Sequence, residues 1–229
     1  MTFEGLCKVI LVGLFAVLDG VQLGQLSASE LPPVAQPASE SSVAPALQPA
    51  RPAKWAVAVL GGVLNNANFS GVLFSPWTSS FDDTQLLSGT VSRRVYEFSQ
   101  DSRLGPYWFV DWEAGAGQRF GNSTASEFWT ALYIKYDGFP WRNTIYMTAG
   151  ISTGLNYATS ISDHEVGKSG NETGTNLLHY FSPEITFANP DNKDFEIVTR
   201  LHHRSGVFGL FDGVDGGSTF LSVGFRRHF

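Results

Sequence analysis

Residues 143–157 read NTIYMTAGISTGLNY. Ile145, Met147, Ala149, Ile151, Leu155 and Tyr157 share one parity. Tyr146, Thr148, Gly150, Ser152, Gly154 and Asn156 share the other. A period of two places these sets on opposite faces of an extended strand, one apolar and one small or polar. The pattern recurs nearby. In EFWTALYIKYD, Phe128, Leu132, Ile134 and Tyr136 oppose Glu127, Ala131 and Lys135. In YWFVDWEAGAG, Trp108, Val110, Trp112, Ala114 and Ala116 oppose Asp111, Glu113, Gly115 and Gly117. Helix-period stretches are absent after Lys54.

Residues 54–66, 84–98, 106–119, 125–137, 143–158, 176–188, 194–206 and 215–229 read as about eight strands. Several exceed the roughly 5–6 residues of a soluble strand and suit the roughly 9–11 that cross a bilayer. The apolar faces carry Trp, Tyr and Phe towards strand ends, as an aromatic girdle does. The opposite faces carry Asp111, Glu113, Lys135, Glu184, Glu196 and Arg200, which the core of a soluble sandwich would not accept. The expected fold is all-β, an eight-stranded antiparallel transmembrane β-barrel. Eight strands leave an interior filled by side chains, which disfavours a diffusion porin.

Composition agrees. Aromatic residues are 14% of the 229 and charged residues only 16%, which suits an exterior that need not be charged. The net charge of −6 gives no basic footprint, so nucleic acid is not an expected partner. Cys7 is the single cysteine, which excludes a disulfide framework and a cysteine metal site.

Three regions are expected. Residues 1–28 hold the apolar run VILVGLFAVL and read as a signal peptide, too short to span as a helix. Residues 29–53 are rich in Pro, Ala and Ser and read as a periplasmic linker. Residues 54–229 form the barrel. An even-stranded barrel has both termini in the periplasm and its longer loops outside. Connections 67–83, 120–124, 159–175 and 207–214 then lie outside, and 99–105, 138–142 and 189–193 inside. The last strand, FLSVGFRRHF, alternates and ends on Phe229. That ending resembles the recognition signal of bacterial outer-membrane barrels and implies the barrel assembly machinery as a partner. Arg227 departs from it, an apolar residue being usual there.

Polar residues crowd into RLHHRSGVFGLFDGVDGG, residues 200–217. In its strand, Phe195, Ile197, Thr199, Leu201, His203 and Ser205 share the apolar, lipid-facing parity. Glu196, Val198, Arg200, His202 and Arg204 share the other. The His-His pair is therefore split, which argues against a metal pair. His202 is expected in a lumen network with Glu196, Arg200 and Glu184. If the hairpin sets Ser205 near Asp215, then His203, Ser205 and Asp215 form one outward cluster. Same-face neighbours are roughly 6–7 Å apart at Cα, within reach of a His–Ser hydrogen bond. A histidine can take a serine proton while an acid holds the imidazole in the right tautomer. Facing lipid headgroups, such a nucleophile meets lipid esters. Asp163, His164 and Glu165 read as a solvated loop cluster.

The His203-Arg204-Ser205 step followed by Asp212-Gly213-Val214-Asp215 resembles the PagL-like lipid A 3-O-deacylases, eight-stranded outer-membrane barrels with a Ser-His-Glu triad. The resemblance implies His203 as base, Ser205 as nucleophile and Asp215 as orienting acid. It also implies lipid A of lipopolysaccharide as substrate, in the outer membrane of a Gram-negative bacterium, with no cofactor. The family continues Ser-Asn-Ala-Gly, whereas this chain reads Ser205-Gly206-Val207-Phe208-Gly209. The N–H groups of Gly206 and Val207 are the candidates for the missing oxyanion donor, worth roughly 100- to 1000-fold in rate. The acid is also one methylene shorter. The alternative is a non-enzymatic small barrel serving membrane integrity, adhesion or surface interaction.

Overall fold

Period-two alternation carries directly into the sheet. A computed structural model describes residues 50–67, 69–74, 80–166, 174–207, 209–214 and 216–229. The expected signal peptide, most of the expected linker, Phe208 and Asp215 lie outside these residues. Nine strands are described: β1 Trp55–Asn65, β2 Phe81–Glu97, β3 Trp108–Phe120, β4 Ser126–Tyr136, β5 Tyr146–Ala158, β6 Leu177–Phe181, β7 Glu184–Asn189, β8 Asn192–Ser205 and β9 Gly217–His228. Two short helices, α1 Phe69–Phe74 and α2 Asp163–Val166, lie in connections.

Every pairing is antiparallel, and β9 returns to pair with β1, so the sheet closes. Strands β6 and β7 both pair with β5 on one side and β8 on the other. They are two halves of one stave, so nine strands make eight staves. The expected continuous strand over 176–188 is thus broken at Ser182 and Pro183. Proline has no N–H to give the ladder. The Ser182 N–H donates instead to Ser152 Oγ at 2.8 Å. The register is unchanged across the break: Phe181 faces His203 and Glu184 faces Arg200. No face is flipped, so the two-residue alternation carries no sign of the break.

The parities fall as expected. Val59, Leu87, Phe128, Leu155, Ile197, Val223 and Phe225 are exposed on the exterior. Inside, Arg119, Arg200, Arg204 and Arg226 are fully buried. Burying a charge is tolerated only with partners. Arg200 meets both oxygens of Glu113 at 2.8 and 2.7 Å and also bonds Glu184. Arg226 bridges Glu184 and Glu196 at 2.7 and 3.1 Å. Lys135 bridges Asp111 and Glu184 at 3.2 and 3.1 Å. This network fills the lumen where an apolar core would otherwise sit.

The long connections, 66–80, 159–176 and 206–216, share one end of the barrel with 121–125. The other end carries the short connections and closes on residues expected to be linker. Arg51 enters it to donate to Asp137 at 2.9 Å and to the Pro106 carbonyl at 2.7 Å. Pro52 accepts from Arg94 at 3.1 Å.

Candidate active site on the barrel exterior

Strand β8 decides which polar side chains face lipid. Glu196, Val198, Arg200, His202 and Arg204 are buried in the lumen, and the odd-numbered residues point out. His203 and Ser205 therefore stand on the exterior, at the long-loop end. Across β8–β9, His203 faces Thr219 and Ser205 faces Gly217. Across β6–β8, His203 faces Phe181 and Ser205 faces His179. The strand partner of Ser205 is Gly217, two residues beyond Asp215 in the chain. The hairpin closes with the Gly206 N–H donating to the Gly216 carbonyl at 3.1 Å. Asp215, the expected acid, is outside the described residues.

The imidazole of His203 is held on two sides. Its Nδ1 lies 2.8 Å from Thr219 Oγ1. The Phe69 ring of α1 lies over it, with centroids 4.6 Å apart. Phe69 also meets Phe181 edge-on at 5.4 Å. Helix α1, FSGVLF, meets this outer wall through Phe69 and Leu73. It shields the histidine where a bare polar ring would face hydrocarbon.

The turn after Ser205 is tight. The Phe211 N–H bonds the Gly206 carbonyl at 3.0 Å, and the Gly209 N–H bonds the Val214 carbonyl at 3.1 Å. A Cβ on Gly206 would fall 1.8 Å from the Val214 carbonyl oxygen, so only glycine fits there. With its N–H committed to Gly216, Gly206 cannot supply the expected oxyanion donor. Val207 remains the candidate. It sits at φ 49°, a left-handed conformation that costs a β-branched residue of order 1–3 kcal/mol. Strain of this kind gathers at functional turns. Asp212 lies in the same turn at φ 54°, as a turn residue should.

His179 escaped the sequence reading. It shares the outward parity of Leu177 and Phe181, yet only 8% of it is exposed. Its Nε2 lies 2.8 Å from Thr153 Oγ1, and the Phe211 ring lies 6.3 Å away, centroid to centroid. A histidine among apolar neighbours of like parity in LLHYF was the available signal. The turn that covers it could not be read locally.

The lumen partners also differ from expectation. His202 does point inward, but its Nε2 meets Glu127 Oε2 at 2.9 Å, and its Nδ1 lies 3.3 Å from the Tyr180 hydroxyl. Glu196, Arg200 and Glu184 form a separate set. Glu165, expected in a solvated loop, is 1% exposed. It accepts from Arg119 at 3.2 Å and from Ser218 at 2.9 Å, tying the 159–176 connection to the mouth.

Below the His203–Ser205 pair, the exterior wall holds a groove of 530 Å³. Leu73 of α1, Ile134, Ala149, Ile151, Pro183 and Leu201 line it. It forms where the stave breaks at Pro183. Leu201, which lines the groove, is the outward neighbour of His203 on β8; His203 and Ser205 are not themselves among the lining residues.

No protein-family model and no curated protein sequence matches the chain. Among solved structures, it is similar to a crystal structure of the outer membrane enzyme PagL. The identity is 12%, over 76% of this chain and 99% of that one, with a TM-score of 0.53. The fold is that of the small outer-membrane β-barrels. The exposed apolar belt gives its eight staves a hydrocarbon-facing surface, as in a barrel that crosses a membrane. Similarity extends to Neisserial surface protein A at 12% identity, 76% and 96% coverage and TM-score 0.46. It extends also to OprG from Pseudomonas aeruginosa at 10% identity, 78% and 97% coverage and TM-score 0.37.

Proposed function

We propose that the barrel is a serine esterase that removes an ester-linked acyl chain from lipid A of lipopolysaccharide. The observation that carries this reading is the placement of His203 and Ser205 side by side on the lipid-facing wall, at the long-loop end. Ionisable side chains facing a membrane are costly and mark function by default. The apolar groove beside Leu201, on the same strand as the pair, is the seat this reading gives the acyl chain.

In this reading Ser205 Oγ attacks the acyl carbonyl carbon while its proton passes to His203 Nε2. The tetrahedral intermediate collapses, the ester C–O bond breaks, and the leaving alkoxide takes the proton from Nε2. Water then repeats the sequence on the acyl-enzyme, releasing the fatty acid and restoring the serine hydroxyl. Asp215 is the acid of this reading, and the Val207 N–H is the remaining backbone donor for the oxyanion.

A second reading, a barrel without catalysis, is favoured by one observation: the Gly206 N–H is spent in the hairpin. Mass spectrometry of lipid A separates the two. Cells lacking other deacylases would express the wild type, Ser205→Ala or an empty vector. Loss of one ester-linked chain with the wild type alone is the expected result. Identical lipid A in all three would sink the esterase.

A further inference from the structure

We infer that Thr219 is a positioning residue: its hydroxyl binds Nδ1 of His203 and so sets the ring's orientation and its tautomer. The inference rests on the esterase reading for its catalytic consequence, while the hydrogen bond stands on geometry alone.

Thr219 lies on β9 directly opposite His203, and Oγ1 is 2.8 Å from Nδ1. Its parity, that of Leu221, Val223 and Phe225, is the exterior one, yet only 3% of it is exposed. On its other side it faces Asn65 of β1, itself 1% exposed, whose Oδ1 accepts from the Ala67 N–H at 2.8 Å. Asn65 and Thr219, both buried, and the half-buried His203 thus form a polar row across three staves. A hydroxyl left unpaired in so dry a place carries an uncompensated desolvation cost, and the bond to His203 removes it.

The chemistry follows from the tautomer. A neutral imidazole carries one proton, and a general base needs its lone pair on the nitrogen facing the nucleophile. If Nδ1 donates to Thr219 Oγ1, the lone pair is on Nε2. Threonine is β-branched and rotationally stiff in a strand, so it fixes the ring's direction as well as its proton. The Phe69 ring limits tilting from the other side. Being neutral, Thr219 orients the ring without stabilising the imidazolium charge.

The test uses the full-length barrel folded in detergent, with heat-modifiable gel migration confirming folding of each variant. A fluorophosphonate ester probes the serine directly. Thr219→Val, which keeps shape and removes the hydroxyl, is expected to slow labelling about 10- to 1000-fold, within the cost of a wrong histidine tautomer. Thr219→Ser restores it to within a few-fold. On lipid A micelles, kcat falls and KM holds. Nitrogen-15 NMR of the histidines gives a readout independent of activity. The His203 signals report the Nδ1–H tautomer in the wild type and in Asp215→Asn, and lose it in Thr219→Val. Labelling of Thr219→Val at the wild-type rate, or unchanged histidine signals, would overturn the inference. A wild type labelled no faster than Ser205→Ala removes the esterase reading instead, and the NMR comparison still decides the role of Thr219.

Discussion

His202 and His203 are neighbours in the chain and stand on opposite sides of the barrel wall. His202 Nε2 lies 2.9 Å from Glu127 inside, and His203 Nδ1 lies 2.8 Å from Thr219 outside. A one-residue step along β8 therefore separates a structural histidine from a candidate base.

That separation predicts opposite effects on cleavage. His202→Ala leaves Glu127 and Tyr180 short of a buried partner and is expected to lower unfolding free energy by about 1–3 kcal/mol, with ester cleavage by the folded fraction unchanged. His203→Ala is expected to abolish cleavage and, by leaving the buried Thr219 hydroxyl without its partner, to cost about 1–3 kcal/mol. Urea unfolding followed by tryptophan fluorescence, beside lipid A mass spectrometry, reads both. Loss of cleavage in His202→Ala at full folding would reverse the assignment.

The legible part of the fold was the part that alternation carries. Parity is a local rule, so β8 alone sent His203 and Ser205 outward and His202 inward. The stave break was hidden because Ser182 and Pro183 preserve both register and face. Glu165 and His179 were misjudged or missed for another reason. Their burial comes from segments far away in sequence, Arg119 and Ser218 for one and the Phe211 turn for the other. The pairing of Ser205 with Gly217 depended on a hairpin closing through Gly206 and Gly216, which residue types alone did not fix. That same closure consumed the amide expected in the oxyanion hole.

Arg200 anchors the lumen. It binds Glu113 through two hydrogen bonds and also bonds Glu184. Glu184 keeps Lys135 and Arg226 if Arg200 is lost, but Glu113 keeps only the Trp129 indole N–H among its described side-chain partners. Removing one member of a buried pair typically costs about 3–5 kcal/mol. Arg200→Met is therefore expected to give little heat-modifiable folded barrel. Adding Glu113→Gln should recover part of the yield by removing the stranded charge. No recovery in the double variant would show that Glu113 is not the uncompensated group.

Val207 holds a left-handed backbone immediately after the Ser205-Gly206 step. Glycine takes that conformation without the side-chain clash, so Val207→Gly is expected to raise stability by about 1 kcal/mol. The same change loosens the amide that the esterase reading assigns to the oxyanion. Cleavage should therefore slow although the protein is more stable. Thermal midpoints and initial rates on one preparation check both signs. A more active Val207→Gly would mean that the strained turn does not position a donor.

The groove gives the last prediction. Ala149 lines it from β5, facing the exterior, so a larger side chain there displaces lipid rather than the packed lumen. Ala149→Phe is expected to fold normally and to fill the channel below Leu201. Excluding even a methylene or two from an apolar site is worth roughly 10- to 200-fold in discrimination. Hydrolysis of long-chain esters should fall by about tenfold or more, while a butyrate ester, with little chain to place in the groove, is cleaved as before. Paired assays on short and long acyl esters test this. Equal loss on both would place the acyl chain elsewhere on the wall.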